Sequence, residues 1–347
     1  MAAPADIRSP VDCQLTTRTR QNVQLGPLRV GIRSNELPFA ELRYFPESTR
    51  LPPQSPVDFT IHCYNLTLDG PWPVQALEEI RDRSYRGTRL AAGYYLTDHF
   101  GPPAYLVTRA RDLWIFAPRF DQILWPFVVK YLLTVHSIDR QMLHLKAAAV
   151  ALRGNATLLV GRGGSGKTVL LTQLCRQAGA QFLSNTHVLV SEATLIPVAS
   201  TMRVRNDSLF GPDIRAGRLP TAIKAGEFLA DPGADLGWTV GTECPLLNIC
   251  LLDYRGGGQR KICELHRDIL FDYMENFSLA LSIYGLKEDL LDYLGGDVTR
   301  FSIEWSHAKG RLRELVDRCR CYYVSGDVTH PQTLQTIAAM LSEVSGK

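Results

Sequence analysis

Residues Gly161-Arg162-Gly163-Gly164-Ser165-Gly166-Lys167-Thr168 are the part of this chain best suited to chemistry. They satisfy G-x-x-x-x-G-K-[ST], and the chemistry of that spacing is phosphate binding. Glycines let the backbone curl around phosphate oxygens and aim several N–H groups inward. A helix that opens at the loop adds a dipole favourable to anions. In that arrangement Lys167 reaches the β- and γ-phosphates, and the Thr168 hydroxyl is a metal ligand, to Mg2+. Arg162, inside the loop, is a further candidate contact to the γ-phosphate. The implied cofactors are ATP and Mg2+.

The loop needs a strand before it and a helix after it. Ala156 to Val160 is a short apolar run of the buried-strand type. Val169, Leu170, Leu171, Leu174, Cys175 and Ala178 recur with helical spacing, and Gly179 is a C-terminal stop. Upstream, the apolar stretch ending at Leu152 and the turn Arg153-Gly154-Asn155 predict a strand hairpin leading into the loop. Downstream, Ala180 to Val190 reads as a strand with a polar break at Ser184 to His187. Thr201 to Arg205 alternates, with Arg203 and Arg205 on one face as candidate substrate-binding cations for a phosphate or an acidic group.

Residues 206–245 contain four prolines and read as loop, a setting for substrate contacts. Leu246 to Tyr254 and Lys261 to Leu265 flank Arg255-Gly256-Gly257-Gly258 and read as a hairpin, which makes Asp253 a turn-side residue. The alternative is an apolar strand whose terminal Asp holds Mg2+ through water. Residues 267–294 are helical in pattern with a break near Gly285. Leu312 to Val316 is a further helix and Cys321 to Val324 a strand. Pro331 to Val344 forms a last helix, with Thr329 placed to cap it.

The chain has 347 residues and 45% hydrophobic content, enough for two domains with a sizeable core. A net charge of +3, from 38 basic and 35 acidic residues, gives nucleic acid or an anionic membrane no footing as main partner. No apolar run is long enough to span a bilayer, and the polar start Met1 to Gln14 lacks a signal core, so a cytoplasmic protein is expected. The eight cysteines are scattered, without a C-x-x-C pair or a Cys/His set of zinc spacing. Residues 1–138 read as a β-rich α+β N-terminal domain, with short strands at 57–68, 92–96, 104–107 and 113–116 and a helix over Phe120 to Thr134 that Pro126 complicates. Residues 139–347 read as the nucleotide-binding domain.

His144 with the Ala-Ala-Val that follows, the turn at Gly154, the loop 161–168 and Phe182-Leu183-Ser184 together resemble the HPr kinase and phosphoenolpyruvate carboxykinase-like group of P-loop proteins. The resemblance is clear over about 143–205 and loose from there to 347. It implies an α/β fold: an HPr kinase-like domain of mixed sheet with flanking helices, preceded by the β-rich part. It also implies phosphoryl transfer from ATP to a hydroxyl of a small, amino-acid-like metabolite or a peptide, and self-association into a homo-oligomer. His144 falls where the family has a histidine near the active site. Asn185-Thr186 stands where the family commonly has two aspartates, one of them a base, and neither side chain takes a proton near neutrality. His187 beside them can, which makes His144, Asn185 and His187 the candidate catalytic group. Glu192, Asp207 and Asp213 are the nearest alternative acids. The missing aspartates also leave open a nucleotide sensor without catalysis, and carboxykinase chemistry on a keto acid is a third reading.

Overall fold

Short apolar runs punctuated by glycine and proline become strands, and here they build several mixed sheets in a mixed α/β protein. In this computed structural model residues 16–68, 94–96, 104–121, 123–219, 221–224, 226–254 and 260–342 are described. The chain divides into two units.

The first unit comprises Met1–Leu42, Glu47–His136 and Gly285–Ser302. Among the described residues its seven strands are β1 (Thr19–Leu25), β2 (Leu28–Ser34), β3 (Arg50–Leu51), β4 (Phe59–Asn65), β5 (Tyr94–Leu96), β6 (Ala104–Arg109) and β7 (Asp112–Ala117), in the order β3-β1-β2-β4-β7-β6-β5. β1 and β2 form a hairpin turned at Gly26, whose φ of 61° suits glycine. β4 then lies parallel to both β2 and β7. The helix expected over Phe120 to Thr134 starts later. Leu124–Val129 winds as a π-turn around Pro126, which has no N–H for an ordinary α-helical bond, and α1 (Lys130–Asp139) continues from it.

The second unit comprises Arg43–Pro46, Ser137–Tyr284 and Ile303–Lys347. It begins with β8 (Leu143–Lys146), β9 (Ala148–Leu152), β10 (Asn155–Val160), α2 (Lys167–Gln177), β11 (Gln181–Ser184), β12 (His187–Ser191) and β13 (Thr194–Pro197). β14 (Met202–Arg205), α3 (Gly211–Arg215), β15 (Thr221–Lys224) and β16 (Glu227–Ala230) follow, then β17 (Cys244–Asp253) and β18 (Lys261–Glu264). The helices α4 (Arg267–Phe277), α5 (Ala280–Ile283), α6 (Lys287–Tyr293, within the first unit) and α7 (Val298–Arg318) come next, and β19 (Arg320–Ser325) and α8 (Pro331–Ser342) close the chain. Among the described residues nine strands form the main sheet along β11-β9-β10-β17-β13-β12-β8, with β19 beside β17 and β18 beside β19. β14, where the alternating strand was expected, pairs with β16, and with β15 they form a small sheet; β15 and β16 lie inside the stretch read as loop.

One core ties the loop's flanking elements together. Leu170, Leu171 and Leu174 of α2, Leu159 of β10, Cys250 and Leu252 of β17, Val324 of β19 and Leu334, Ile337 and Leu341 of α8 are all buried in it.

Two expectations change. The hairpin of β17 with β18 does not form: β18 pairs antiparallel with β19, and β17 lies parallel between β10 and β19. The physical reason is burial. Asn248 to Leu252 are all buried, so β17 needs neighbours on both edges and becomes a central strand. The apolar stretch before Leu152 is two strands, β8 and β9, which lie at distant places in the sheet order although only Ala147 separates them. The helix expected at Leu312 to Val316 is the buried end of the 21-residue α7. No helix among the described residues is long and apolar enough to cross a membrane.

Candidate functional site

β10 delivers the chain to the glycine loop, and α2 leaves it at Lys167. Gly161 has φ +150°, and an added Cβ would collide with Ser165 Oγ and stand 2.6 Å from the Leu252 carbonyl. Gly166 has φ +89°, and a Cβ there would lie 3.1 Å from Tyr254 Cβ. Both positions therefore require glycine. At Gly163 and Gly164 an added Cβ would meet nothing within 4 Å. The loop is thus clamped at its ends and open at its crown, where Arg162, Gly163 and Gly164 are exposed. Tyr254 N donates to Ser165 O at 3.2 Å and fixes the closed side. The Lys167 ammonium donates to Gly161 O at 2.6 Å and Arg162 O at 2.8 Å, with Ser165 Oγ at 3.4 Å. Burial, then the charge of Lys146, brings its pKa down to about 8.

The parallel register places a carboxylate beside this loop. Val160 pairs with Leu251, so Asp253 lies two residues further along, at the strand end from which the loop springs. Tyr323 Oη of β19 donates to Asp253 Oδ2 at 3.1 Å. Tyr273 of α4 neighbours both Arg162 and Asp253. Burial raises its hydroxyl pKa, which Asp253 reinforces and Arg162 opposes. Its ring stacks on Phe277 at 4.9 Å.

On the other side, the turn between β11 and β12 reaches α2. Thr168 Oγ1 donates to Asn185 Oδ1 at 3.2 Å. Ser184 Oγ, fully buried, donates its proton to His187 O at 2.5 Å, with Val198 O a longer, shared acceptor at 3.2 Å, and this contact holds the turn in shape. Ala147 N donates to Thr186 O at 3.1 Å, which draws the junction of β8 and β9 against the same turn.

His144 and His187 come together. In the β8–β12 ladder His187 faces Lys146 and Leu189 faces His144, so both histidines and Lys146 share one sheet face. His144 Nε2 lies 3.1 Å from His187 Nδ1, and Tyr284 Oη lies 3.3 Å from the same nitrogen. The rings are 2% and 1% exposed. Burial makes this histidine pair with Tyr284 a packed polar cluster. Lys146 is by contrast the one exposed side chain between residues 143 and 152.

Arg203 and Arg205 are the cations expected to contact substrate. They stand on the small sheet with Glu227 between them, at 3.7 and 3.6 Å. Two of the three alternative acids, Asp213 and Asp207, are engaged. Asp213 pairs with Arg176 and Arg218, Asp207 Oδ1 accepts from Leu209 N and Phe210 N, and Glu192 occupies the β12–β13 turn with φ +53°.

The loop, Thr168, Asn185 and Asp253 offer amide donors and hard oxygen acceptors, a set suited to a polyphosphate with Mg2+. Among the described residues no group of three His, Cys, Asp or Glu forms a metal cage. A magnesium ion that keeps waters and phosphate oxygens as ligands needs none. The seven described cysteines are free.

Sequence reasoning missed Lys146 and misplaced Asp253. A lone charge in the apolar stretch 143–152, two residues after His144 and so on the same strand face, was the signal for the first. A ten-residue run with an apolar centre, typical of a central strand, was the signal for the second. Compared with known proteins, the sequence matches no family model and no curated protein.

Proposed function

We propose that this protein binds Mg2+-ATP at the glycine loop and transfers the γ-phosphoryl group to a hydroxyl of a small metabolite or a peptide, as the resemblance to the HPr kinase group implies. The observation that carries the reading is the parallel pairing of β10 with β17, which sets Asp253 beside the loop that ends in Lys167 and Thr168. In this reading the loop amides and Lys167 hold the phosphates, and Thr168 with Asp253 would hold the ion, directly or through water. The ion would supply charge neutralisation on the phosphates. The acceptor oxygen bonds the γ-phosphorus, the bond to the bridging oxygen breaks, the nucleoside diphosphate leaves, and the hydroxyl proton passes to water or a carboxylate.

Calorimetry with Mg2+-AMP-PNP tests the binding step: wild type should bind and Lys167→Ala should not. Mass spectrometry of a small-molecule and peptide extract incubated with protein and ATP tests the transfer, by a product heavier by one phosphoryl group. One observation favours a second reading, a nucleotide sensor without catalysis: Asn185 rather than an acid meets Thr168. Nucleotide binding without any phosphorylated product would support it.

A further inference from the structure

The cations around the loop outnumber what the nucleotide needs. Lys167 belongs to the loop itself, and its ammonium is already directed at loop carbonyls. Lys146 comes from a different element, β8, and is exposed where every neighbour from 143 to 152 is buried. Among the described residues it pairs with no carboxylate. Two links of structure bring it to the loop. The next residue, Ala147, bonds to Thr186, and Asn185, beside Thr186, bonds to Thr168. Lys146 therefore lies at the edge of the site across the Thr168–Asn185 contact from the loop. Its charge is felt at Lys167, whose proton affinity it lowers. Two ammonium groups of like charge repel each other, and a bound anion offsets that repulsion. The nucleotide phosphates satisfy one of them. Arg203 and Arg205, the cations expected to receive an acidic substrate, pair with Glu227, whereas Lys146 has no such carboxylate among the described residues.

We infer that Lys146 binds an anionic group of the acceptor, so that the hydroxyl compound phosphorylated here bears a carboxylate or a phosphate. The inference rests on the proposed kinase function and narrows its substrate class. The compact, strongly hydrated ammonium on a flexible stem suits a single anionic group without demanding a fixed fork geometry. The buried histidine pair on the same face keeps the strand rigid beneath it.

The experiment titrates inorganic phosphate, and separately acetate, into protein saturated with Mg2+-AMP-PNP, using wild type, Lys146→Met and Lys146→Arg. Phosphate should bind the saturated wild type, bind at least about tenfold more weakly to Lys146→Met and recover in Lys146→Arg, while AMP-PNP affinity stays within about twofold in all three. Acetate binding in the same pattern identifies a carboxylate acceptor, and binding of phosphate alone identifies a phosphate-bearing one. The inference falls if wild type binds neither anion, if Lys146→Met binds them as wild type does, or if Lys146→Met loses AMP-PNP as Lys167→Ala does. Should wild type bind no nucleotide, the kinase reading fails on its own. The anion site is then read by titrating phosphate into Lys167→Ala with and without Lys146→Met: binding lost with Lys146 supports the site, and unchanged binding overturns it.

Discussion

Tyr323 Oη donates a hydrogen bond to Asp253 Oδ2 across 3.1 Å, tying the last residue of β17 to the neighbouring strand β19 beside the glycine loop. The bond holds the carboxylate at the end of β17 from which the loop springs. Asp253→Asn should lower turnover by roughly 100-fold, as removal of one group that stabilises transition-state charge does. It should leave the melting temperature nearly unchanged, because the side chain is half-buried. Tyr323→Phe should cost only about 1 kcal/mol of stability and a smaller share of rate. Steady-state kinetics with thermal denaturation of both variants checks this.

Lys167 should make the proposed nucleotide binding depend on alkalinity. Its pKa is about 8 in the folded protein, against an ordinary 10.5, because of burial and Lys146. Phosphate binding favours the charged form, so affinity should be constant below pH 7 and fall as pH rises through 8, by up to about tenfold per unit. The folded-state pKa is depressed, so between pH 8 and 10.5 the unfolded chain holds more protons, and this group's contribution to unliganded stability rises across that window. Calorimetry at pH 8.5 in two buffers of different ionisation enthalpy should register proton uptake on binding.

Asn185 meets the hydroxyl of Thr168, a residue assigned to the magnesium site. Asn185→Asp should place an anionic oxygen there and lower the magnesium concentration for half-maximal nucleotide binding by about tenfold. Asn185→Ala should raise it. Magnesium titrations at fixed AMP-PNP compare the three proteins.

His187 is held by His144 and Tyr284 in a nearly inaccessible setting. Its replacement by Ala should destabilise the fold by about 2–3 kcal/mol, through a cavity and two buried groups deprived of a partner. If His187 were instead the base, His187→Gln would abolish turnover with stability and nucleotide affinity intact. Chemical denaturation alongside kinetics separates the two roles.

Arg203 and Arg205 compensate Glu227, which is largely buried. Replacing both with Ala should cost about 1 kcal/mol or more, by leaving that carboxylate without its cations. It should leave the acceptor KM within about twofold, because neither side chain is then a substrate contact. Denaturation and KM measurements report the two effects separately.

The loop, its strand and its helix were legible because G-x-x-x-x-G-K-T constrains φ, charge and order at once. Gly161 and Gly166 show how narrowly, since a methyl group at either has nowhere to go. The polar break at Ser184 to His187 was legible for a similar reason: a turn interrupts an apolar run visibly. What stayed hidden was pairing between distant segments. Nothing local in Lys261 to Glu264 says that β18 joins β19 across some sixty residues instead of folding back on β17. Asp253 was misread as a turn residue for that reason. Lys146 was passed over because one charge on a strand looks like any solvated surface group until the burial of its neighbours is known. The strands β15 and β16 went unseen because four prolines dominate residues 206–245.

Ala147 is a pivot between distant places on the sheet path: β8, at one end, stops before it, β9, second from the other end, begins after it, and its N–H is anchored on Thr186. The segments bearing Lys146, Asn185 and the loop strand are thereby linked, and amide hydrogen exchange in them is expected to rise and fall together. A ligand that slows exchange in any one of the three is then expected to slow it in all.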